Sequence, residues 1–581
     1  MAVQHLVTEE TDAGDVVARV LSDAGIDMVF GISGGHTGRI YRGLEKQQNA
    51  IRTVLVREES LGGVMAEVYG RLRGLPGVLI GQGPWVLGNG LLGTLEAHLS
   101  SSPMLLLTDF SDPPNLALHG PYQSGAGDYG AWDARRAFSG VTKQVFQALE
   151  PSQAVQATQF AIKHAMSGQK GPVAVLFSFA ALNGKVGPDT VPTLYPTQLY
   201  MPPPPSAADP AQVERAAQAI KQARRPVIIA GNGVRIAKAY KELRALSEAL
   251  GIPVATSAGG KGTFPETHDL ALGVYGTFGI ATANAIVGSA DLVLVVGSKL
   301  GASDTARENA DLLDPARQTF IQIDIEPRNA SWTFPAEHVL VGDAATILNQ
   351  LREATGKDAA RGRAGIERVA KQRKETGYFD QEAYNSSNSP IHPQRIIGEL
   401  MRNLPEDSIV TCDAGENRIL MTHLYQTQRE EGFMQAAGSG PMGFAVPAAL
   451  GAKLVYPDRT VVAVCGDGGF AMSMNGLMTA IEEDIPIIVV IFNNAALGWV
   501  LHGGSGFAAK FNDFDFANIA RAIGCHAERV SDPSALGTAI KTAMASRKPA
   551  VIDVVTSLND ITFAEITSPL AKVAQRVKAK G

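Results

Sequence analysis

Short runs dense in Val, Ile and Leu recur along the whole 581-residue chain, separated by longer stretches of helical periodicity. They fall at Val78–Ile80, Met104–Leu107, Val173–Phe177, Pro226–Ala230, Leu292–Val296, Phe320–Ile325, Val461–Val464, Ile487–Phe492 and Val551–Val555. A strand with one wet face would alternate apolar and polar residues, so uninterrupted runs of this length suit strands buried on both faces. Their alternation with helical patterns predicts an α/β chain of doubly wound parallel sheets covered by helices.

Two stretches break the alternation: the proline cluster Met201–Pro210 and the polar region 356–390, which ends in Asn385-Ser-Ser-Asn-Ser-Pro390. Read as linkers, they leave three domains at 1–190, 205–355 and 375–560, with a C-terminal tail at 561–581. The outer two share an ending. Ala161-Ile-Lys-His-Ala-Met166 precedes the strand after Gly171, and Ala539-Ile-Lys-Thr-Ala-Met544 precedes the strand after Lys548. A helix followed by a last strand, twice at the same place, predicts a duplicated domain with a different one between.

Composition narrows the function. With 51 Lys and Arg against 57 Asp and Glu, the formal charge is -6, and no global field draws the chain to nucleic acid or an anionic membrane. Cys412, Cys465 and Cys525 are too few and too scattered for a disulfide framework or a zinc cluster. The acidic N-terminus, with Glu9, Glu10, Asp12 and Asp15, does not read as a signal peptide, and no apolar run is long enough to span a bilayer. The expectation is a cytoplasmic enzyme acting on small molecules.

The strongest local signal is Val461-Val-Ala-Val-Cys-Gly-Asp-Gly-Gly-Phe470, an apolar strand opening into Gly466, Asp467, Gly468 and Gly469. After a helical stretch and a second apolar strand comes Asn493-Asn494. This spacing sets the Asp467 carboxylate and the Asn494 amide oxygen at neighbouring strand ends on the carboxyl edge, where open α/β sheets bind ligands. Such oxygens suit Mg²⁺ on a diphosphate, and the glycines let backbone N–H groups approach phosphate.

With Leu450-Gly451, Pro457, Val462 and Val464 upstream, the segment resembles the signature of thiamine diphosphate enzymes. The likeness runs along nearly the whole chain and points to the acetolactate synthase, pyruvate oxidase and benzoylformate decarboxylase group. It implies pyrimidine-binding, central and diphosphate-binding domains, with thiamine diphosphate and Mg²⁺ as cofactors. Asp467, Asn494 and the Ala496 carbonyl take the places of the metal ligands, and Leu497 and Gly498 follow beside the cofactor. Arg57-Glu58-Glu59-Ser60 with Met65-Ala-Glu-Val-Tyr-Gly-Arg71 resembles the first-domain motif, which puts Glu59 in the place of the glutamate that shares a proton with the aminopyrimidine. Exclusion of water around such an acid favours its protonated form.

Gly438-Ser-Gly-Pro-Met-Gly-Phe-Ala-Val-Pro447 resembles the family's Gly-rich loop, with Gly440 and Gly443 matched and Met442 where a wedge bends the cofactor. Asp413-Ala414-Gly415-Glu416-Asn417 resembles the turn facing the diphosphate, so Gly415 and Asn417 are expected to bind it. Glu416 departs from the pattern, because an acid beside phosphate repels it.

The substrate wall departs too. Tyr129-Gly130 stands where acetolactate synthases usually carry Phe-Gln, and Trp499-Val500 follows Gly498 where they carry Met-Val. His36, in Gly34-Gly-His-Thr-Gly-Arg39, replaces a residue usually small and apolar, and its imidazole can protonate or orient a carbonyl intermediate. Glu59, His36, Met442 and Trp499 are therefore the expected catalytic set. Arg39 is a candidate for a substrate carboxylate or a CoA phosphate, and His502 for the pocket wall. The Gly-His-Thr run, with Trp85 and Gly88-Asn89, is similar to cyclohexane-1,2-dione hydrolase, whose additional histidines are not matched.

In this superfamily the central domain binds FAD, ADP or nothing. Gly231-Asn-Gly233 is weak evidence for a nucleotide, and Ser298-Lys-Leu-Gly-Ala-Ser303 lacks the Arg-Phe-Asp-Asp-Arg run expected of flavin-binding synthases. The resemblance implies decarboxylation of a 2-oxo acid with carboligation, in a homodimer or homotetramer. Carbon–carbon cleavage of a diketone or a 2-hydroxyacyl-CoA is the alternative, and a cofactor-binding paralogue without turnover is a third. Retention of Glu59, Asp467 and Asn494 speaks against the third.

Overall fold

The structure is a computed structural model that describes residues 4–111, 122–503 and 506–558. The expected tail at 561–581 lies outside the described residues. The chain forms two compact units, residues 1–204 with 450–457 and 478–485, and residues 205–449 with 458–477 and 486–581. The division falls within the proline cluster, between Pro204 and Pro205.

The first unit holds a six-stranded sheet of β1 (Met28–Gly31), β2 (Arg52–Leu55), β3 (Gly77–Gln82), β4 (Met104–Asp109), β5 (Gln144–Ala148) and β6 (Pro172–Phe177). Every pairing is parallel, in the order β2-β1-β3-β4-β6-β5. All of β4 and β6 is buried, which is why β6 is apolar throughout and β4 is apolar up to Leu107, with only Thr108 and Asp109 polar at its end. Two further strands of two residues each, Thr11–Asp12 and Lys185–Val186, pair antiparallel.

The second unit carries two such sheets. One contains β7 (Pro226–Ala230), β8 (Val254–Thr256), β9 (Ala271–Val274), β10 (Leu292–Val296), β11 (Thr319–Asp324) and β12 (His338–Val341), ordered β9-β8-β7-β10-β11-β12. That is the nucleotide-fold order, reversing direction between β7 and β10. The other contains β13 (Ile409–Cys412), β14 (Phe433–Gln435), β15 (Val461–Gly466), β16 (Ile488–Asn493), β17 (His526–Val530) and β18 (Ala550–Val555), ordered β14-β13-β15-β16-β18-β17. Counted within each domain, the first and third sheets have the same strand order and the middle one differs, which matches the expected duplication.

Each apolar run named above falls on a strand, with Ile325 and Ile487 one residue outside. Where composition suggested a linker after residue 356, the chain instead forms the helix Ala359–Thr376 on the central domain. Val369 is buried, Arg361 donates to the carbonyls of Ile220 and Ala223, and Arg373 to those of His268 and Ala271. Arginines that bond carbonyls anchor this helix in place of an apolar stripe, so hydrophobic periodicity does not reveal it.

The glycines of the central domain have a packing reason. A Cβ at Gly233 would lie 2.6 Å from the Cα of Gly297, so the turns after β7 and β10 meet backbone to backbone. No nucleotide is needed to explain Gly231-Asn-Gly233. Among the described residues no helix is long and apolar enough to cross a membrane.

Candidate active site

In the first unit, polar side chains gather where β1, β3 and β4 end. The loop after β1 reaches a turn of 3-10 helix at Gly35–Thr37, and Gly35 has φ +54°. A Cβ there would stand 2.7 Å from Nε2 of Gln82 and 3.2 Å from Oδ2 of Asp109, so only glycine lets the loop lie on these strand ends. Gln82 and Asp109 are register partners that end β3 and β4. His36 rides on this loop. Its backbone N–H donates to Asp109 Oδ2 at 3.4 Å, its Nδ1 lies 3.3 Å from the same oxygen, and its ring meets Phe179 edge-on at 5.0 Å.

Glu59 is the first residue of the helix α1 (Glu59–Arg73), directly after the short link from β2. It is 8 % exposed, and its carboxylate accepts from Asn89 Nδ2 at 3.2 Å. The Tyr41 hydroxyl donates to the Ile80 carbonyl, and burial, with the nearby Glu59 charge, pushes its pKa above the ordinary tyrosine value. Gly130 has φ +83° with open space around it, so its backbone favours glycine. Among the described residues, the side chains of Tyr129, Trp85 and half-buried Arg39 make no hydrogen bond that would fix their roles.

In the second unit, β15 ends at Gly466, and Asp467 begins the next helix. Asp467 Oδ1 accepts from Gly468 N at 2.7 Å and Oδ2 from Ala496 N at 3.1 Å, while Ala496 N also lies 3.2 Å from Asn494 Oδ1. Burial pushes the Asp467 carboxyl up to about 6, and a divalent cation would hold it ionised. Ala495 takes a left-handed φ of +53°. The antiparallel bridge of Ala496 with Lys510 is closed by Leu497 N to Ala509 O and Phe511 N to Ala495 O. Those ladder bonds leave out the Ala496 carbonyl. One carboxylate, one amide oxygen and one carbonyl outside that ladder are hard oxygen donors, too few to enclose a cation and so of the kind that would suit Mg²⁺ keeping phosphate oxygens.

The glycine turn is a cradle a side chain would fill. A Cβ at Gly468 would stand 3.0 Å from Met442 Cε, 3.1 Å from Phe511 Cε2 and 3.3 Å from Leu497 Cδ2, so Met442, Gly468 and Leu497 lie together. A Cβ at Gly469 would run into the Asp413 carboxylate. That carboxylate, fully buried, accepts from Gly443 N at 2.9 Å and Phe444 N at 2.7 Å and so ties the Gly-rich loop to β13. Gly415 and Gly440 have φ of +120° and +64°. Asn417 spends its amide on the Asp413 carbonyl at 3.0 Å, closing its own turn.

Glu416, the anomalous acid, is partnered. His502 Nε2 lies 2.6 Å from Oε1, and Asn494 Nδ2 donates to Oε2 at 3.3 Å. Burial raises the Glu416 carboxyl, while His502 draws it back. Gly498 is bare because a Cβ would meet this carboxylate. Trp499 is 37 % exposed and stands edge-on to Phe278 at 6.3 Å. Sequence reasoning missed Asp109, the Asp413 clamp and the Glu416–His502 pairing; an acid ending the otherwise apolar β4 is the signal that could have found the first.

Residues 11–124 match the thiamine pyrophosphate enzyme N-terminal TPP binding domain, 213–351 the central domain and 413–554 the C-terminal TPP binding domain. The chain is 30 % identical to a probable acetolactate synthase large subunit of Methanocaldococcus jannaschii, covering 93 % of this chain and 91 % of that one. It is 30 % identical to the acetolactate synthase isozyme 3 large subunit of Escherichia coli, covering 92 % of each. It is also 30 % identical to a probable 2-ketoarginine decarboxylase of Pseudomonas aeruginosa, covering 90 % of this chain and 89 % of that one. Three domain matches in the right order and relatives aligned over nearly their full lengths agree with the strand-end chemistry: the chain belongs to the thiamine pyrophosphate enzymes.

Proposed function

We propose that the protein is an enzyme that decarboxylates a 2-oxo acid and joins the remaining fragment to a second carbonyl compound. The observation that carries this reading is Glu59, a carboxyl group nearly buried at the start of α1, in a chain that also keeps the Asp467 and Asn494 oxygens. A protein that only bound the cofactor would have no use for that acid. Acetolactate synthases and a 2-oxo acid decarboxylase among the relatives support the same chemistry.

Thiamine diphosphate, when bound, supplies a thiazolium that acts as the electron sink for the cleaved bond. The chain's residues do the rest. Asp467, Asn494 and the Ala496 carbonyl hold Mg²⁺; Gly415, Asn417, Gly440, Gly466, Gly468, Gly469, Leu497 and Gly498 shape the diphosphate seat; Met442 is the wedge. Glu59 holds a proton at the pyrimidine nitrogen, His36 handles protons at the substrate oxygen, and Trp499 walls the acceptor site. Two copies assemble so that Glu59 of one chain faces Asp467 of the partner subunit. The bare Gly130 and the indole of Trp499 favour an acceptor larger or more apolar than pyruvate, by the roughly 1 to 3 kcal/mol that a methylene is worth in such a pocket.

The test is an assay of the holoenzyme against 2-oxo acids, diketones and acyl-CoAs, reading CO2 release and ligation product. Turnover of a 2-oxo acid with a 2-hydroxyketone product is expected, and Asp467→Ala should lose both cofactor retention and turnover. Cleavage of diketones without CO2 release would replace this reading by the alternative, and full activity of Asp467→Ala would remove the metal assignment.

A further inference from the structure

Glu416 begins the helix Glu416–Leu424, and its side chain is 13 % exposed. A carboxylate so nearly buried needs a partner for each oxygen. Oε1 lies 2.6 Å from His502 Nε2, a separation that needs a proton between the two atoms, whichever of them carries it. Oε2 is therefore left as an acceptor only, and it accepts from Asn494 Nδ2 at 3.3 Å. Bare Gly498 gives this oxygen its room, since a Cβ there would run into it.

The other end of the same amide faces a donor. The Ala496 N–H lies 3.2 Å from Asn494 Oδ1 and 3.1 Å from Asp467 Oδ2, so one backbone group serves both oxygens and sets them side by side. An amide with an acceptor at one end and a donor at the other fits only one way round. Turned over, it would press Oδ1 against the Glu416 carboxylate and Nδ2 against the Ala496 N–H.

We propose that Glu416 is a positioning residue for Asn494: it holds the amide nitrogen and so keeps Oδ1 beside Asp467, turned to the cation that these two oxygens would hold. The inference rests on the metal assignment given above and adds to it the group that orients one of the ligands. It also accounts for an acid in a turn expected to face a diphosphate. His502 meets one carboxylate oxygen and the Asn494 amide the other, so the charge is engaged on both sides. Residues that orient a metal ligand from behind typically set metal affinity by about 10- to 100-fold.

The test uses the full-length protein freed of cofactor, with thiamine diphosphate and Mg²⁺ as the probes, and reads bound cofactor by equilibrium dialysis. At saturating thiamine diphosphate, Glu416→Ala should raise the Mg²⁺ concentration for half-saturation by about tenfold or more. At saturating Mg²⁺, the half-saturating thiamine diphosphate concentration should stay within twofold of wild type. Glu416→Gln removes the charge but keeps an oxygen that can accept from Nδ2, and it should recover most of the loss. In an Asn494→Ala background, where there is no amide to orient, Glu416→Ala should add less than twofold. Unchanged Mg²⁺ half-saturation in Glu416→Ala would overturn the proposal. So would a Glu416→Gln protein as weak as Glu416→Ala, which would leave the negative charge alone as the cause, or a full further loss in the Asn494→Ala background. Weaker cofactor binding at saturating Mg²⁺ would also overturn it, as the mark of a collapsed turn. Asp467→Ala separates this inference from the reading beneath it. If Asp467→Ala loses Mg²⁺-dependent binding and Glu416→Ala does not, the metal assignment stands and the positioning role falls; if Asp467→Ala binds as the wild type does, the metal assignment itself falls.

Discussion

At the residue scale, the most consequential group outside the proposed metal site is Asp413. Its carboxylate is fully buried and accepts backbone N–H groups from the Gly-rich loop, and burial outweighs those bonds and pushes its pKa up to about 6. The folded protein therefore holds this proton more tightly than the unfolded chain. The group's contribution to stability is largest at acid pH, falls as pH rises from the ordinary aspartate value towards 6, and stays constant above. The amide signals of Gly443 and Phe444 in the apoprotein should accordingly shift with a midpoint near 6, and a midpoint near 4 would show the carboxyl to be better solvated than its surroundings imply. How much of the site could be read in advance divides along the same line. Glu59, Asp467 and Asn494 could be singled out because short motifs mark the turns where they lie. Glu416 could be flagged as odd but not understood, since its partner His502 lies far along the sequence and only the fold brings the two together. Asp109 was passed over because an acid ending an apolar strand reads as the first residue of a loop.

At the scale of elements, strands buried on both faces were legible and the rest less so. Edge strands such as β14 and β17 are short or partly polar, and apolar density does not mark them. The helix Ala359–Thr376 was hidden for a different reason: it is held by arginines and by a close crossing. A Cβ at Gly365 would run into the Gly251 carbonyl, so that turn of the helix sits against backbone. Gly365→Ala should push the helix off and destabilise the central domain by about 1–3 kcal/mol despite the better helix propensity of alanine. A lowered urea midpoint would show it. A raised midpoint would mean that propensity wins and the crossing is loose.

At the scale of the whole molecule, the central and third domains of the second unit are joined through buried charge. Lys261 and Glu266 are both buried, with Nζ 2.7 and 2.8 Å from the two carboxylate oxygens, and Glu266 also accepts from Thr427 N at 2.7 Å. Arg235 donates to the carbonyls of Gly259, Lys261 and Phe433. Glu266→Ala should cost about 3–5 kcal/mol, because it strands an ammonium that burial already disfavours. The double variant Lys261→Met/Glu266→Leu should recover most of that loss, and calorimetry of the three proteins would decide. The repeated strand order carries a consequence of another kind. The third and fourth strands of the first sheet end in Gln82 and Asp109, and those of the third sheet end in Gly466, next to Asp467, and in Asn493, next to Asn494. If the two domains descend from one ancestor, the same pair of strand ends has diverged, carrying the His36 loop in one copy and the Asp467 and Asn494 oxygens in the other. Selection for a new substrate can then act on the first copy's edge while the second copy's edge stays fixed.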